Sequence, residues 1–490
     1  MSIAKEYVLR LLQANQKEGS TTKEDLLDSF SNEIEVVETI TLIKNYQEKL
    51  MENWQIKEAI YDIIHNQVQI PNGTVDKSYT YKFDFVKLNW DKIVYSEIIG
   101  LDEIGLVYDK EEEVLTGIPT ISGDFKIKLI FRVKGESENS ILNEKNINLI
   151  INANPKSLWK NLPSDKEDKY WKEDEVAILD TLGTKSLVVA SKRGRSHANV
   201  GSFRDDDFAY KSFDNLGWNV VAVADGAGSA KLSRQGSAIA CQEVVHYFET
   251  LFTTDKVNEL ETLIKEQNQV SKEGVSTTEE QLENSEADTL TKKTSSQIAI
   301  SRYIYSLLGG CVRQVHNKLD EFALANDFES KELHTTLIFS LFKKFDFGYA
   351  ILSFGVGDCP IGIMNVDKSQ VTLMNWLDVG EFGGGTRFIT MPEIFTNDKF
   401  HTRFGFKLVD DFSYLVLMTD GIYDAKFVVE ANLEKVEVWN AFFEDLQGKN
   451  EDGAAVVFEK NNVEITNQLS KWMDFWSPGN HDDRTLAIVF

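Results

Sequence analysis

Four times in its C-terminal two thirds, this chain joins an apolar, β-prone run to an aspartate that stands beside a glycine or a second aspartate. Val220 to Ala224 lead into Asp225-Gly226-Ala227-Gly228, and Tyr349 to Val356 into Gly357-Asp358. Tyr414 to Thr419 lead into Asp420-Gly421, and Asp482-Asp483 stand just before Thr485 to Phe490. Arg204-Asp205-Asp206-Asp207 precedes the first of these runs. A single Asp-Gly pair is a turn signal and nothing more. Repeated at strand ends, it constrains the fold strongly, because strand ends of one sheet lie side by side and their carboxylates converge.

Converged carboxylates repel unless a cation sits among them. Oxygen ligands suit hard cations such as Mg²⁺ or Mn²⁺, and glycine beside each aspartate lets backbone carbonyls and waters approach. Two such ions can share a water, lower its pKa and clamp a phosphoryl group. Other phosphate chemistries fit less well. A cysteine phosphatase needs an arginine six residues after its thiol, and Tyr247, Asn317 and Asn365 stand six residues after Cys241, Cys311 and Cys359. The seven histidines are scattered, with no HExxH pair, and there is no GxxxxGK[ST] loop. Gly383, Gly384 and Gly385 read as a flexible loop.

The net charge of -26 argues against nucleic acid or an anionic membrane as partner. Three cysteines without a CxxC pair suggest a reducing compartment. The N-terminus lacks the apolar core of a signal peptide, and no run is long enough to span a bilayer. The expected location is therefore the cytoplasm.

The length predicts two or three domains. Residues 1–66 read as helical, with Val36, Ile40 and Ile43 at helical spacing and a capping box at Thr21 and Glu24. Across 67–155 the period changes to two: Phe125, Ile127, Leu129, Phe131 and Val133 alternate with polar residues, as do Ile147, Leu149 and Ile151. The stretch from Gly105 to Val133, punctuated by Gly117, Pro119 and Gly123, resembles bacterial immunoglobulin-like repeats. That resemblance implies a small all-β sandwich used for binding or spacing. Residues 156–181, with Trp159, Tyr170 and Trp171 among charges, read as a linker. Residues 182–490 are expected to form one further domain. Within it, 254–294 is rich in Glu, Gln, Ser, Thr and Lys without an aromatic residue, and is expected to be a disordered acidic insertion whose deletion leaves the fold intact. It lies between two amphipathic stretches, one carrying Cys241, Val245 and Phe248, the other Ile304, Leu308, Cys311, Val315 and Leu319.

The ordered set RDDDF, VADGAGSA, HTTL, GVGDCPIGI, LMTDGIYD and HDDRTLAIV resembles the motif series of the protein phosphatase 2C family, in its bacterial branch. The resemblance implies an α+β fold overall, with a C-terminal α-β-β-α sandwich of two antiparallel sheets flanked by helices. It implies hydrolysis of phosphoserine and phosphothreonine by a water shared between two or three Mg²⁺ or Mn²⁺ ions. Asp225 would bridge two metals and Gly226 would lend its carbonyl. Asp420 and Asp482 would complete one site, and Asp205 or Asp206 would serve the other. Asp358 and Asp424 would hold a third ion.

Two departures stand out. Ala227 occupies a position where many relatives have a histidine; His197 would either replace it as general acid or serve as a hydrogen-bonded structural histidine. Gly201 stands where a phosphate-binding arginine is usual, leaving Arg193, Arg195 and Arg204 as candidates. Residues 377–388 fall where the family has a mobile flap, from which Arg387 would touch substrate. The implied partners are a phosphorylated protein and a cognate serine/threonine kinase. The alternatives are a catalytically weak scaffold that binds phosphoproteins, and a phosphatase of small phosphate metabolites.

Overall fold

The apolar runs assemble into two separate units, divided between Leu158 and Trp159. The structure is a computed structural model that describes residues 2–17, 23–252, 254–273, 285–378, 385–396 and 398–490. Thr21 of the expected capping box, residues 274–284 of the acidic segment, and Gly383 and Gly384 of the glycine loop lie outside the described residues.

The first unit begins with three helices, α1 (Ile3–Ala14), α2 (Glu24–Ser31) and α3 (Ile34–His65). Ala4, Val8, Leu27 and Ile40 form their shared core. Seven strands follow: β1 (Gly73–Thr74), β2 (Tyr79–Lys82), β3 (Ile93–Ile99), β4 (Leu106–Asp109), β5 (Val114–Gly117), β6 (Gly123–Val133) and β7 (Asn143–Asn152). They make one sheet in the order β1-β7-β6-β3 and another in the order β2-β5-β4. The alternation read from the sequence is the burial pattern found. Ile127, Leu129, Phe131 and Val133 of β6 point into one core with Leu106 and Leu115 of the smaller sheet. Ile60 and Ile63 at the end of α3 close that core.

The second unit is a four-layer sandwich. Its elements in order are β8 (Glu175–Leu182), β9 (Lys185–Lys192), α4 (Arg195–Val200), β10 (Asp207–Phe213), β11 (Trp218–Ala224), α5 (Ser233–Leu251), α6 (Thr254–Glu273) and α7 (Ser285–Ala325). Next come β12 (Leu337–Phe345), β13 (Gly348–Val356), β14 (Ile361–Met364), β15 (Val371–Leu373), α8 (Glu393–Thr396), β16 (Phe404–Val409) and β17 (Tyr414–Met418). The last are α9 (Asp420–Phe427), α10 (Val436–Leu446), α11 (Ile465–Trp472) and β18 (Arg484–Val489).

One sheet runs β10-β11-β12-β13-β16 and the other β15-β14-β17-β18-β9-β8, antiparallel throughout. Both faces of each sheet are covered, which is why these strands are continuously apolar. Along β11, Val221 and Val223 face the second sheet together with Leu187, Val189, Leu417 and Ala487. Trp218, Val220 and Ala222 face the outer helices, meeting Cys241, Val244 and Phe248 of α5 and Leu308, Cys311 and Val315 of α7. The second sheet packs outward on Ile422, Trp439, Phe442, Leu469 and Trp472.

Two boundaries differ from expectation. Residues 156–181 are not a linker, because β8 pairs with β9 along its whole length. Tyr170 packs edge-on against Phe322 and Phe328, and Lys172 Nζ donates to the Asp206 carbonyl at 2.7 Å. The short, half-buried alternation of β8 and the buried positive charge of Lys172 leave no long apolar signal. Nor is 254–294 a disordered insertion in its described part. Residues 254–273 form α6, whose Val257, Leu260 and Ile264 are fully buried against the core. The charge-rich composition conceals a stripe of three apolar residues at i, i+3 and i+7, enough to dock a helix on existing neighbours. Ile264→Ala should therefore cost about 2–5 kcal/mol of stability by opening a cavity. Denaturant unfolding would show this as a lower midpoint with an unchanged slope. No change would restore the view of this segment as dispensable.

Candidate metal centre

Every acidic motif read from the sequence arrives at the same end of the sandwich. Asp225 follows β11, Asp358 follows β13, and Asp420 opens α9 directly after β17 and Thr419. Asp205 and Asp206 precede β10, and Asp482 and Asp483 precede β18. The two sheets are tied together there by hydrogen bonds. Asp206 Oδ2 accepts from the hydroxyls of Thr419 and Thr485, each at 2.8 Å. The Asp205 amide donates to Asp483 Oδ2. Asp225 is fixed by its backbone: its amide donates to Thr336 Oγ1 at 2.9 Å, and its carbonyl accepts from the Thr336 amide and the Thr335 hydroxyl, both at 2.8 Å.

Glycine follows Asp225 and Asp420 for a steric reason. A Cβ on Gly226 would meet the Asp205 carbonyl oxygen at 2.6 Å, and one on Gly421 would meet the Asp483 carbonyl oxygen at 1.9 Å. The acidic segments approach so closely that no side chain fits between them.

The charges are correspondingly strained. Burial, followed by repulsion from Asp420, Asp206 and Asp482, raises the Asp225 carboxyl well above its ordinary range. Burial and Asp483 do the same for Asp206. Asp420 is pushed up to about 7 by burial and the charges of Asp358 and Asp482. Asp205 is raised to about 6 by burial and Asp483. Asp358, Asp424 and Asp482 are raised as well, burial again first. Among the described residues, Asp358 Oδ1 and Asp420 Oδ1 are buried without a hydrogen-bond donor. Carboxylate oxygens of Asp225 and Asp358 lie, with Cys359 Sγ, all within 4.8 Å of one another. Repelling carboxylates with orphaned inward oxygens fit a divalent cation.

His197 on α4 stands beside the cluster. Its Nδ1 lies 3.0 Å from Asp483 Oδ1 and its Nε2 lies 3.8 Å from Asp205 Oδ2. Burial lowers its pKa, but the Asp483 hydrogen bond and the charges of Asp483, Asp205 and Asp482 outweigh this and raise it to about 9. Asp483 itself is driven below its ordinary range. Burial opposes that shift, and the hydrogen bond and charge of His197 and the amides of Gly194 and Asp205 overcome it.

The arginine assignments need correction. Arg204 is buried and donates to the carbonyls of Glu173 and Asp206 and to the Ser191 hydroxyl. Arg193 is spent on the carbonyls of Ser202 and Leu162, Asn161 Oδ1 and Asp174. Arg195 donates to the Asp474 carbonyl and lies over the Trp476 ring. Arg193 and Arg204 therefore have little left for a phosphate, whereas Arg195 spends only Nη2 on a carbonyl. Arg387 differs, with no ion pair or hydrogen bond to its guanidinium among the described residues. Part of the expected flap, 379–384, lies outside those residues. Beyond it, Thr386 Oγ1 donates to Asp358 Oδ2 at 2.7 Å.

Sequence reasoning overlooked three participants: Asp483, Thr386 and Cys359. The Asp482-Asp483 doublet signalled the first. Nothing local signals Thr386, which lies 28 residues from its partner.

A helix-sheet-sheet-helix sandwich with buried acidic groups at one pole is the class these features define. A family profile described as Protein phosphatase 2C matches residues 193–474, more than half of the chain. The chain belongs to the protein phosphatase 2C family, whose members are phosphatase hydrolases. It is similar to three solved bacterial-type serine or serine/threonine phosphatase structures. One, described only as a bacterial serine phosphatase, is 14% identical at a TM-score of 0.33, over 62% of this chain and 96% of the other. Stp1 from Staphylococcus aureus is 13% identical at 0.31, over 66% and 98%. The catalytic domain of PstP, solved with two manganese ions, is 12% identical at 0.34, over 64% and 98%. No curated protein matches the chain. Among the described residues, no helix is long and apolar enough to cross a membrane.

Asp420 gives a stability test without added metal. Its folded pKa of about 7 lies above the ordinary 3.8. Between those values the native state binds more protons than the unfolded one, so stability falls as pH rises through this window. In chelated protein, Asp420→Asn should raise the melting temperature at pH 7.5 and lose that advantage near pH 4. A variant less stable than the parent at pH 7.5 would refute the repulsion.

Proposed function

We propose that this chain is a metal-dependent protein phosphatase that hydrolyses phosphoserine and phosphothreonine in proteins. The observation that carries this reading is the set of mutually repelling carboxylates from both sheets, with the Asp358 and Asp420 Oδ1 atoms buried and unsatisfied. In this reading Asp225, the Gly226 carbonyl, Asp420, Asp482 and Asp205 or Asp206 would hold two Mg²⁺ or Mn²⁺ ions, and Asp358 and Asp424 would hold a third. The ions would activate a water as nucleophile and neutralise phosphoryl oxygens.

The remaining roles fall to side chains around the cluster. Asp483 accepts from His197 Nδ1 and so turns Nε2 toward the acidic pole. With a pKa of about 9, His197 carries a proton at neutral pH. It would hand that proton to the departing serine or threonine oxygen, or donate a hydrogen bond to the phosphoryl group. Arg387 and Arg195 are the arginine candidates for substrate contact. The N-terminal sandwich would serve as a binding or spacing module. The counterpart enzyme would be a serine/threonine kinase that makes the phosphoprotein.

Purified full-length protein should hydrolyse a phosphothreonine peptide with Mn²⁺. Activity should vanish with chelator, return with Mn²⁺, and be lost in Asp225→Asn. A well-folded, metal-loaded protein without turnover would sink the reading. His197→Ala should lower kcat by roughly a hundredfold or more if it is the general acid. A general acid must be protonated, so the parent rate should fall at alkaline pH as His197 loses its proton, and the variant should lack that alkaline limb. An unchanged pH profile would leave His197 with a structural role only.

A further inference from the structure

Two tryptophans meet at a histidine that stands one residue from the acidic cluster. Trp90, Trp218, Trp439 and Trp472 are fully buried, whereas Trp159 and Trp476 stay partly exposed. Both approach His481, with ring centroids 4.5 Å and 4.7 Å from its imidazole. His481 Nδ1 is buried without a hydrogen-bond partner among the described residues, so ring packing holds the imidazole in place. The next residue is Asp482. The rings come from two segments of the chain, and both segments are tied to α4. The Ser196 amide and hydroxyl donate to the His481 carbonyl at 3.0 and 2.8 Å. Just after Trp159, the Lys160 amide donates to Asn199 Oδ1 at 3.0 Å and the Leu162 amide to the Ala198 carbonyl at 2.8 Å. Arg195 of α4 completes the group. Its guanidinium lies 5.4 Å from the Trp476 ring centroid, and only its Nη2 has a hydrogen-bond partner among the described residues.

We propose that Trp159, Trp476 and His481 form a subsite beside the metal centre that takes an aromatic side chain within two residues of the phosphorylated serine or threonine. The inference rests on the phosphatase reading and gives it a preferred substrate class, phosphoproteins with Phe, Tyr or Trp next to the phosphoresidue. A chain advances at most about 3.6 Å per residue. A side chain one or two positions from the phosphoresidue therefore stays within reach of rings that begin one residue from Asp482. The chemistry of the patch selects the guest. Indole faces offer broad apolar contact with offset or edge-on stacking, and Trp and Arg are the residue types that carry most binding energy at interfaces. The Arg195 guanidinium repels a basic side chain, and the net charge of -26 disfavours an acidic one. A flat, uncharged ring meets neither penalty.

Full-length protein with Mn²⁺ would be assayed on phosphothreonine peptides that carry Ala, or a single Phe, at the two positions on either side of the phosphoresidue. The all-alanine peptide reports the basal activity. In the parent, Phe at one of these positions should raise kcat/KM roughly two- to tenfold, the range of one aromatic pair, through a lower KM rather than a higher kcat. Trp476→Ala and, separately, Trp159→Ala should lose that preference and keep the parent rate on the all-alanine peptide. Equal rates on every peptide, or a Phe preference that survives in both variants, would overturn the subsite and leave the phosphatase standing. Variants that lose the all-alanine rate in the same proportion would leave the rings as mere supports of Asp482, which also overturns it. A parent that turns over none of the peptides would overturn the phosphatase reading and the subsite together. Trp159→Ala, on a segment separate from Asp482, decides the matter even if Trp476→Ala does not fold.

Discussion

Several buried carboxylates cannot share one small volume without a compensating charge, and this sandwich is built to hold them there. Asp205, Asp206, Asp225, Asp358, Asp420 and Asp482 all have their pKa values raised by burial first and then by the charge of neighbouring aspartates. Only rigid supports keep such groups together. Each acidic residue sits at the edge of a strand or helix whose backbone is already paired. The two sheets interlock beneath them through Val221, Val223, Leu417 and Ala487. The inter-sheet core therefore resists a repulsion that would otherwise part the two acidic edges. A divalent cation would turn that stored repulsion into attraction.

The basic residues around the pole act mainly on the backbone. Arg193, Arg204 and Lys172 point inward and satisfy carbonyl oxygens of the acidic loops and of the segment that precedes β8. Arg234 continues the pattern, reaching the Tyr170 carbonyl and Asp168. A buried guanidinium is tolerable only with most of its donors occupied, so these side chains have little left for a ligand. Residues 159–174 are in this sense a strap across the second unit, held by cations from below. Asp483 plays the complementary role for amides: it accepts from Gly194, Asp205 and His197 and joins α4, the β10 approach and the β18 approach at one carboxylate.

Much of this could be read from the residues in order. The period-two pattern of β6 and β7, the apolar stripes of α5 and α7, and the aspartates at strand ends are local signals. Each is set by a side-chain alternation or a turn preference that needs no distant partner. The fold class and the roles expected of the acidic residues were implied by the resemblance of the ordered motifs to the protein phosphatase 2C series, with which these local signals agree. What the order of residues hid was pairing across distance. The α6 stripe of Val257, Leu260 and Ile264 is too sparse to announce a helix in charge-rich sequence until a core exists to receive it. Thr386 meets Asp358, and Cys359 meets Asp225, only because separate loops close over the same pole.

The sequence alone therefore determined which residues would be strands and which carboxylates would stand at their ends, because those choices depend on hydrophobic period and backbone preference within a few residues. The tertiary structure decided how the remaining polar groups are used. Whether an arginine near the site binds phosphate or a backbone carbonyl depends on which face of the chain is buried. That, in turn, depends on packing between segments up to nearly 300 residues apart, as in the Asp206 and Thr485 hydrogen bond with its separation of 279. Burial makes every unpaired donor costly, so the fold assigned Arg204 and Arg193 to carbonyls and left Arg387 outside that network.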